Sequence, residues 1–347
     1  MIIKKVSFLN IRKTTEAHLS FIPETTIITG INGAGKTTII EAVFLLCTTK
    51  SFRKKQNKAL TQKGKKRLEV QGVFEEKKTI KTIKILTEKQ KKIITKNNTP
   101  VKKTSTLLQE NPMVCMSPEE TDIIESYKAE KMQYFDKIIF KTNPQHIKHI
   151  KEYRKLLQYR NFLLENKGET KPWDKKLSES GLLVWKTRKQ FFKEIIEAFQ
   201  KVQSKIKTEK YNIEYIYKET KTTEDYEQKL QHTNNQEKTN IGPHKDTTIF
   251  KIKNKNLQEH GSQGEKKLFK YILKLAEAEI IKKKTHTTPI LLLDDFFAKL
   301  DSENIMKIFI YFHCKFQTII TTTETNKNTI KSILKTSEKK IKIIQCQ

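Results

Sequence analysis

The chain has 347 residues, with 69 Lys and Arg against 39 Asp and Glu, a formal charge of +30. No run approaches the ~18 consecutive apolar residues of a membrane span, and Met1 to Asn10 alternates like a strand instead of forming the apolar core of a signal peptide. Cysteines at 47, 115, 314 and 346 have neither Cys-x-x-Cys spacing nor the density of a disulfide scaffold, which predicts reduced thiols in a cytoplasmic protein. In chain order, residues 2–9, 17–22 and 25–30 read as short strands, the last running from Thr25 into a turn at Gly30. A helix follows from Lys36, with Ile39, Ile40, Val43, Phe44, Leu46 and Cys47 at helical spacing. Segments 68–75, 80–86 and 92–95 alternate again and read as an antiparallel meander. A mixed-sheet nucleotide lobe over 1–118 is the expectation.

From about 119 the pattern becomes helical: 129–140, then 144–166, broken at Asn166-Lys167-Gly168 and Pro172. A second long run places Phe192, Ile195, Phe199, Val202 and Ile206 at three- and four-residue spacing, so the two runs suit a helical hairpin, either an ordinary core or a projecting arm. This inserted helical lobe is assigned to 119–239. The polar stretch Gln231 to Asn240 reads as a loop, and strand alternation at 247–252 marks a return to the first lobe over 240–347.

Gly30-Ile31-Asn32-Gly33-Ala34-Gly35-Lys36-Thr37, followed by Thr38, fits the P-loop pattern in full. Its glycines let backbone N–H groups close around phosphates, Lys36 supplies a point charge, and the Thr37 hydroxyl is a Mg²⁺ ligand, so ATP with Mg²⁺ is the expected cofactor. The run Leu291-Leu292-Leu293-Asp294-Asp295 reads as a buried strand ending in paired acids. Asp294 then belongs to the Mg²⁺ shell and Asp295 is the candidate that polarises the attacking water, although Asp reaches less far than Glu. Ser262-Gln263-Gly264-Glu265 suits a capping box. The same geometry is an anion site, and its place some 30 residues before the paired acids favours a role at the γ-phosphate held by another subunit's P-loop. Asp301 suits a subunit-contact loop, and Thr321-Thr322-Thr323-Glu324 is either a γ-phosphate sensor or plain strand content.

With these elements in this order, the chain resembles the RecF family of bacterial DNA replication and repair proteins over almost its whole length. The likeness rests on Phe8-Leu9-Asn10-Ile11-Arg12, Gly30 to Thr37, Ser117-Pro118-Glu119-Glu120, Leu157 to Leu164, Trp173-Asp174, Gly242-Pro243-His244-Lys245-Asp246, Gly261 to Gly264, and Leu291 to Asp301. The resemblance implies an ABC-type ATPase head, ATP-dependent homodimerisation, slow hydrolysis, binding to double-stranded and gapped DNA, and cooperation with RecR and RecO in loading RecA, with links to the damage response. Two departures stand out: the family's basic segment is reduced to Glu130-Lys131-Met132-Gln133, and the arginine usual after the Ser-Gln-Gly element is replaced by Lys266 or Lys267. Lysine keeps the charge and loses the bidentate fork.

The leading expectation is an ATP-switched DNA clamp, with a weak DNA-stimulated ATPase as its switch. A transporter-type nucleotide-binding subunit needs the same sandwich, and a nucleic-acid-binding structural protein with a decayed ATPase needs only the charge. The charge itself has two sources. A phosphate-binding surface calls for clustered cations. An A/T-biased genome also yields many Lys, Ile, Thr and Asn with Arg only at 12, 53, 67, 154, 160 and 188.

Overall fold

The computed structural model describes residues 1–53, 60–89, 91–120, 122–218, 220–232, 236–298, 300–313, 315–324, 330 and 340–346. Two units divide it: Met1–Thr121 with Val202–Thr208 and Gln263–Gln347, and Asp122–Lys201 with Glu209–Ser262. Among the described residues, no helix is long and apolar enough to cross a membrane. Cys47, Cys115 and Cys346 are free thiols, and Cys314 lies outside the described residues.

The first unit begins with β1 (Ile2–Ile11) and β2 (Thr14–Ser20). A bulge between Ile3 and Lys5 resets the register of β1, so Ile3, Val6 and Phe8 all face the core despite their uneven spacing. β3 (Thr25–Gly30) is buried throughout and feeds α1 (Lys36–Thr48). β4 (Arg67–Glu76), β5 (Thr79–Glu88), β6 (Lys91–Lys96) and β7 (Thr99–Pro100) form the predicted meander, before α2 (Thr104–Glu110) and β8 (Met113–Met116). The hairpin residues Lys77, Lys78, Asn97 and Asn98 all have positive φ, as two-residue primed turns require.

The second unit carries α3 (Lys128–Thr142), α4 (Gln145–Glu165) and most of α5 (Lys171–Ile206), then β9 (Tyr211–Ile216), α6 (Thr223–Gln231), β10 (Thr247–Ile252), β11 (Lys255–Asn256) and α7 (Leu257–His260). Pro172 does not break a helix. It sits in the first turn of α5, where a missing N–H costs nothing. α4 and α5 share a core of Ile150, Tyr153, Leu177, Val184 and Trp185 with Tyr226 and Leu230 of α6, whereas Phe192 of the stripe expected to face α4 packs against Phe135 of α3 and Tyr215 of β9. The strand at 247–252 corrects the expected boundary at 240. It pairs antiparallel with β9, and the Phe250 ring lies tilted against Phe135 of α3, which keeps the chain in the second unit until Ser262. Of the expected loop 231–240, residues 233–235 lie outside the described residues.

Charge is buried deliberately in this unit. Arg188 donates to Asp136 at 3.0 and 2.8 Å and to Asp246 at 2.8 Å, while Trp185 Nε1 donates to Asp246 at 2.9 Å and His146 Nε2 lies 2.9 Å from Asp136. Burial pushes the Asp136 carboxyl up, but His146 and Arg188 outweigh it and hold the group below its usual range. His244, which had no role assigned from sequence, is half-buried and kept below its ordinary imidazole range by desolvation. Its Nε2 lies 2.9 Å from the Thr239 carbonyl and must donate there, so Nδ1 accepts from the Tyr153 hydroxyl at 2.6 Å.

The chain returns to the first unit with α8 (Gln263–Thr285), β12 (Ile290–Leu293), α9 (Ser302–His313), β13 (Thr318–Thr323) and β14 (Ile341–Cys346). The strands of this unit sort by pairing type. A parallel sheet has the order β14-β3-β13-β12-β8, and the antiparallel meander has the order β2-β1-β4-β5-β6-β7. α1 is packed between them: its Val43 and Leu46 share one core with Phe8, Val70 and Phe74 of the meander and Leu292 and Ile319 of the parallel sheet. Gly72 permits that approach, because a Cβ there would lie 2.5 Å from Leu46 Cδ1. Gln317 ties the sheets by polar bonds, accepting from Ile3 N at 2.7 Å and donating to the Ile3 and Ile22 carbonyls at 2.8 Å.

Replacing Arg188 with Ala leaves Asp136 and Asp246 buried without their cation, and should cost about 3–5 kcal/mol, seen as a lower urea midpoint for the second unit. Because the folded pKa of Asp136 is depressed, its stabilisation is complete above the unfolded value of about 3.9 and is lost as pH falls from there through the lower folded value. Chemical denaturation between pH 6 and about pH 3 should show this acid limb, and it should flatten in Arg188→Ala.

Candidate nucleotide-binding site

Parallel register decides what meets at the site. Leu293 of β12 aligns with Met116 of β8 and with Ile320 of β13, so the next residues along each strand, Asp294, Ser117 and Thr321, emerge side by side at the carboxyl ends. This is where open α/β sheets bind ligands. β3 is parallel to β13 in the same sheet and delivers the P-loop to the same end.

The P-loop turn is built on glycines that no other residue replaces cheaply. Gly33 and Gly35 have φ of 90° and 83°, and Gly35 is the N-cap of α1, so no side chain caps the first N–H groups of that helix. There is no acid in the first turn of α1. The helix therefore opens on bare, positively polarised amides, the requirement for phosphate. A Cβ added at Gly33 meets nothing within 4 Å, so the space beside the loop is open. Ile31, Asn32 and Gly33 are exposed, and Lys36 folds back to donate to the Gly30 and Ile31 carbonyls at 2.9 and 2.7 Å. Ala34 and Thr38 complete the turn, with Thr38 N donating to the Gly35 carbonyl at 2.9 Å.

Asp294 is buried and accepts three hydroxyls: Thr37 at 3.1 Å and Thr321 at 2.6 Å on one oxygen, Ser117 at 2.9 Å on the other. A buried carboxylate beside a P-loop hydroxyl is the donor pair that Mg²⁺ takes from protein when phosphate and water supply its remaining ligands. Asp295 is half-buried in the left-handed region, with φ of 52°, and its N–H donates to Thr321 Oγ1 at 3.0 Å. Lys267 of α8 holds the following turn by donating to the Asp295 and Phe296 carbonyls at 3.2 and 3.4 Å and to that of Ala298. Burial, followed by the charges of Asp295 and Asp294, pushes the nearby Tyr271 phenol well above its ordinary range, so it stays protonated and donates to the Phe296 carbonyl at 3.3 Å.

The sequence-predicted residues thus fall into two sets. Thr37, Lys36, Asp294 and Asp295 stand at one end of one sheet. Ser262 and Gln263 are exposed where α8 begins, followed by half-buried Gly264. Asp301 is exposed and caps α9, accepting from Asn304 N at 2.8 Å and Asn304 Nδ2 at 2.7 Å, and these bonds hold its carboxyl below the usual range.

A family model described as RecF/RecN/SMC N terminal domain matches residues 2–345. The DNA replication and repair protein RecF of Agathobacter rectalis is 31% identical over 337 residues, covering 93% of this chain and 92% of its own. The chain belongs to the RecF family. RecF of Alkaliphilus oremlandii is also 31% identical, over 342 residues and 93% of each chain. Among solved structures, the recombination mediator protein RecF-ATP in the RecFOR pathway matches with a TM-score of 0.78 and 27% identity, over 93% of this chain and 92% of that one. An Smc head domain from Pyrococcus furiosus, at TM-score 0.55 and 16% identity over 95% and 91%, shares the fold.

Three structural features of this RecF-family head carry little mark in the sequence. Ser117 was noted as part of a motif, but its hydroxyl bond to Asp294 spans 177 positions and leaves no local trace. Glu41, fully buried in α1, holds the Arg12 guanidinium at 3.1 and 2.8 Å and accepts from Ser51, while Arg53 reaches Glu119 at 2.7 Å. A Glu among the apolar positions of α1 was the one available signal. Lys267 is identified as the lysine that grips the Asp295 turn, where sequence left Lys266 and Lys267 equivalent.

Thr321→Val removes one donor from buried Asp294 and should cost about 1–3 kcal/mol, measured as a fall in the urea midpoint. Ser117→Ala should act on the same carboxylate, so the double variant should depart from the sum of the two single effects.

Proposed function

We propose that the chain is an ATP-dependent DNA-binding clamp of recombinational repair and replication restart, working on double-stranded and gapped DNA in the cytoplasm. The observation that carries it is the meeting of an uncapped P-loop helix with the Thr37 and Asp294 pair at one sheet end, in a chain whose relatives are DNA replication and repair proteins. The α1 amides and Lys36 would hold the triphosphate, Lys36 exchanging its own carbonyls for phosphate oxygens. Thr37 and Asp294 would hold Mg²⁺, which supplies charge neutralisation at the phosphates. Asp295 would accept a proton from water, with Lys267 and Thr321 fixing its backbone. Ser262, Gln263 and Gly264 would serve a partner copy's ATP, and Asp301 would lie in that contact. RecO and RecR, acting with RecA, are the partners this reading implies.

Mass in solution and ATP turnover, with and without gapped DNA, test the reading. Wild type should dimerise with ATP and turn over faster with DNA. Lys36→Met should weaken ATP binding by about 10–100-fold, Ser262→Arg should bind ATP as a monomer, and Asp295→Asn should dimerise yet hydrolyse slowly. A wild type that stays monomeric with ATP and is indifferent to DNA sinks the clamp. DNA affinity should also fall steeply with salt; a shallow log–log slope would assign the lysine excess to codon drift.

A further inference from the structure

The second unit carries a groove that none of this chemistry uses. It has a volume of about 740 Å³ and runs between α4 and the first turns of α5. On α4, Glu152, Lys155, Leu156, Tyr159 and Phe162 fall at i, i+3, i+4, i+7 and i+10 and so line one wall, opposite Trp173 and Lys176 of α5. Tyr159 is 45% exposed and Phe162 57% exposed, an unusual position for large rings beside a well-filled core.

The rings are held, not loose. Arg160 and Asp174, the neighbours of Tyr159 and Trp173, are both fully buried and bonded at 2.7 Å, and Arg160 also donates to Thr239 Oγ1 at 2.9 Å and the Leu230 carbonyl at 2.8 Å. This pair clamps the two helices directly under the groove, so the walls are set before any ligand arrives. Tyr159 and Trp173 lie 4.4 Å apart by centroids, and the Lys176 ammonium stands 5.3 Å from the Trp173 ring.

The chemistry selects the occupant. Helical walls satisfy their own backbone groups, so an extended peptide finds no main-chain partners here. A base needs only a ring face, and its phosphates need only cations. Two lysines line the groove against one carboxylate, Glu152, and among the described residues no carboxylate pairs with Lys155 or Lys176. We infer that this groove binds a single-stranded nucleic acid, with unpaired bases on Tyr159, Phe162 and Trp173 and phosphates on Lys155 and Lys176. The inference rests on the DNA reading above and deepens it by seating the unpaired part of a gapped strand.

The test needs neither ATP nor duplex, so its failure is separate from failure of the clamp. The chain has two tryptophans, and Trp185 is 2% exposed, so Trp173 is the reporter. Titration of the full chain with an oligothymidylate of about 12 nucleotides should quench tryptophan emission, and Trp173→Phe should abolish the quench while keeping most of the affinity. Phe162→Ala and Tyr159→Ala should each weaken binding by about 5–100-fold with the thermal midpoint little changed, because both rings are exposed. An abasic strand of equal length should bind as weakly as those variants. The inference is overturned if oligothymidylate causes no quench, if the abasic strand binds equally well, if the alanine variants bind like wild type, or if an acidic aromatic peptide binds the groove and oligothymidylate does not.

Discussion

Everything at the nucleotide end of this molecule depends on one carboxylate. Asp294 is taken out of water at the end of a buried strand, and a buried charge is tolerated only when hydrogen bonds replace its hydration. Those bonds come from Thr37, Ser117 and Thr321, each at the end of a different segment of the chain. Satisfying Asp294 therefore locks the P-loop, β8 and β13 into one arrangement. A parallel sheet makes this possible, because its strands all present their carboxyl ends on one side, and an antiparallel sheet would scatter the same residues to opposite edges.

The second unit solves the same problem with ion pairs in place of hydroxyls. Arg188 bridges Asp136 and Asp246, and Arg160 bridges α4 to α5 through Asp174. Such pairs add little net stability over an apolar core, but each admits few alternative packings, since removing either partner strands a charge. That trade suits a helical lobe whose apolar stripes alone would accept several registers. Where Arg188 fixes the lobe's interior, Arg160 fixes the wall that carries Tyr159 and Phe162.

Lys267 links the start of α8 to the turn at Asp295. Its ammonium gathers the backbone carbonyls of Asp295, Phe296 and Ala298. The left-handed conformation of Asp295 is costly for a non-glycine residue, and it is retained because Thr321 holds its N–H while Lys267 holds its carbonyl. A flexible stem and a compact charge do this well, since one ammonium can donate to several carbonyls at once.

What the sequence by itself determined is whatever local period and chemistry encode. The P-loop, the Leu291 to Asp295 strand, the meander and the long helices are each specified by neighbours within a turn or a hairpin, and all are present. Positive φ at Gly33 and Gly35 and the apolar repeat of α1 belong to the same class. Tertiary structure alone decided which strands pair. Alternation at 247–252 announces a strand but not its partner, and only the pairing with β9 and the contact of Phe250 with Phe135 place β10 in the second unit. Ser117 with Asp294, Arg160 with Thr239, and Tyr153 with His244 are likewise bonds between distant segments, set by register and burial. A hydroxyl or a guanidinium in a one-dimensional pattern carries no mark of its partner, because the energy that selects the pair exists only once both are removed from water.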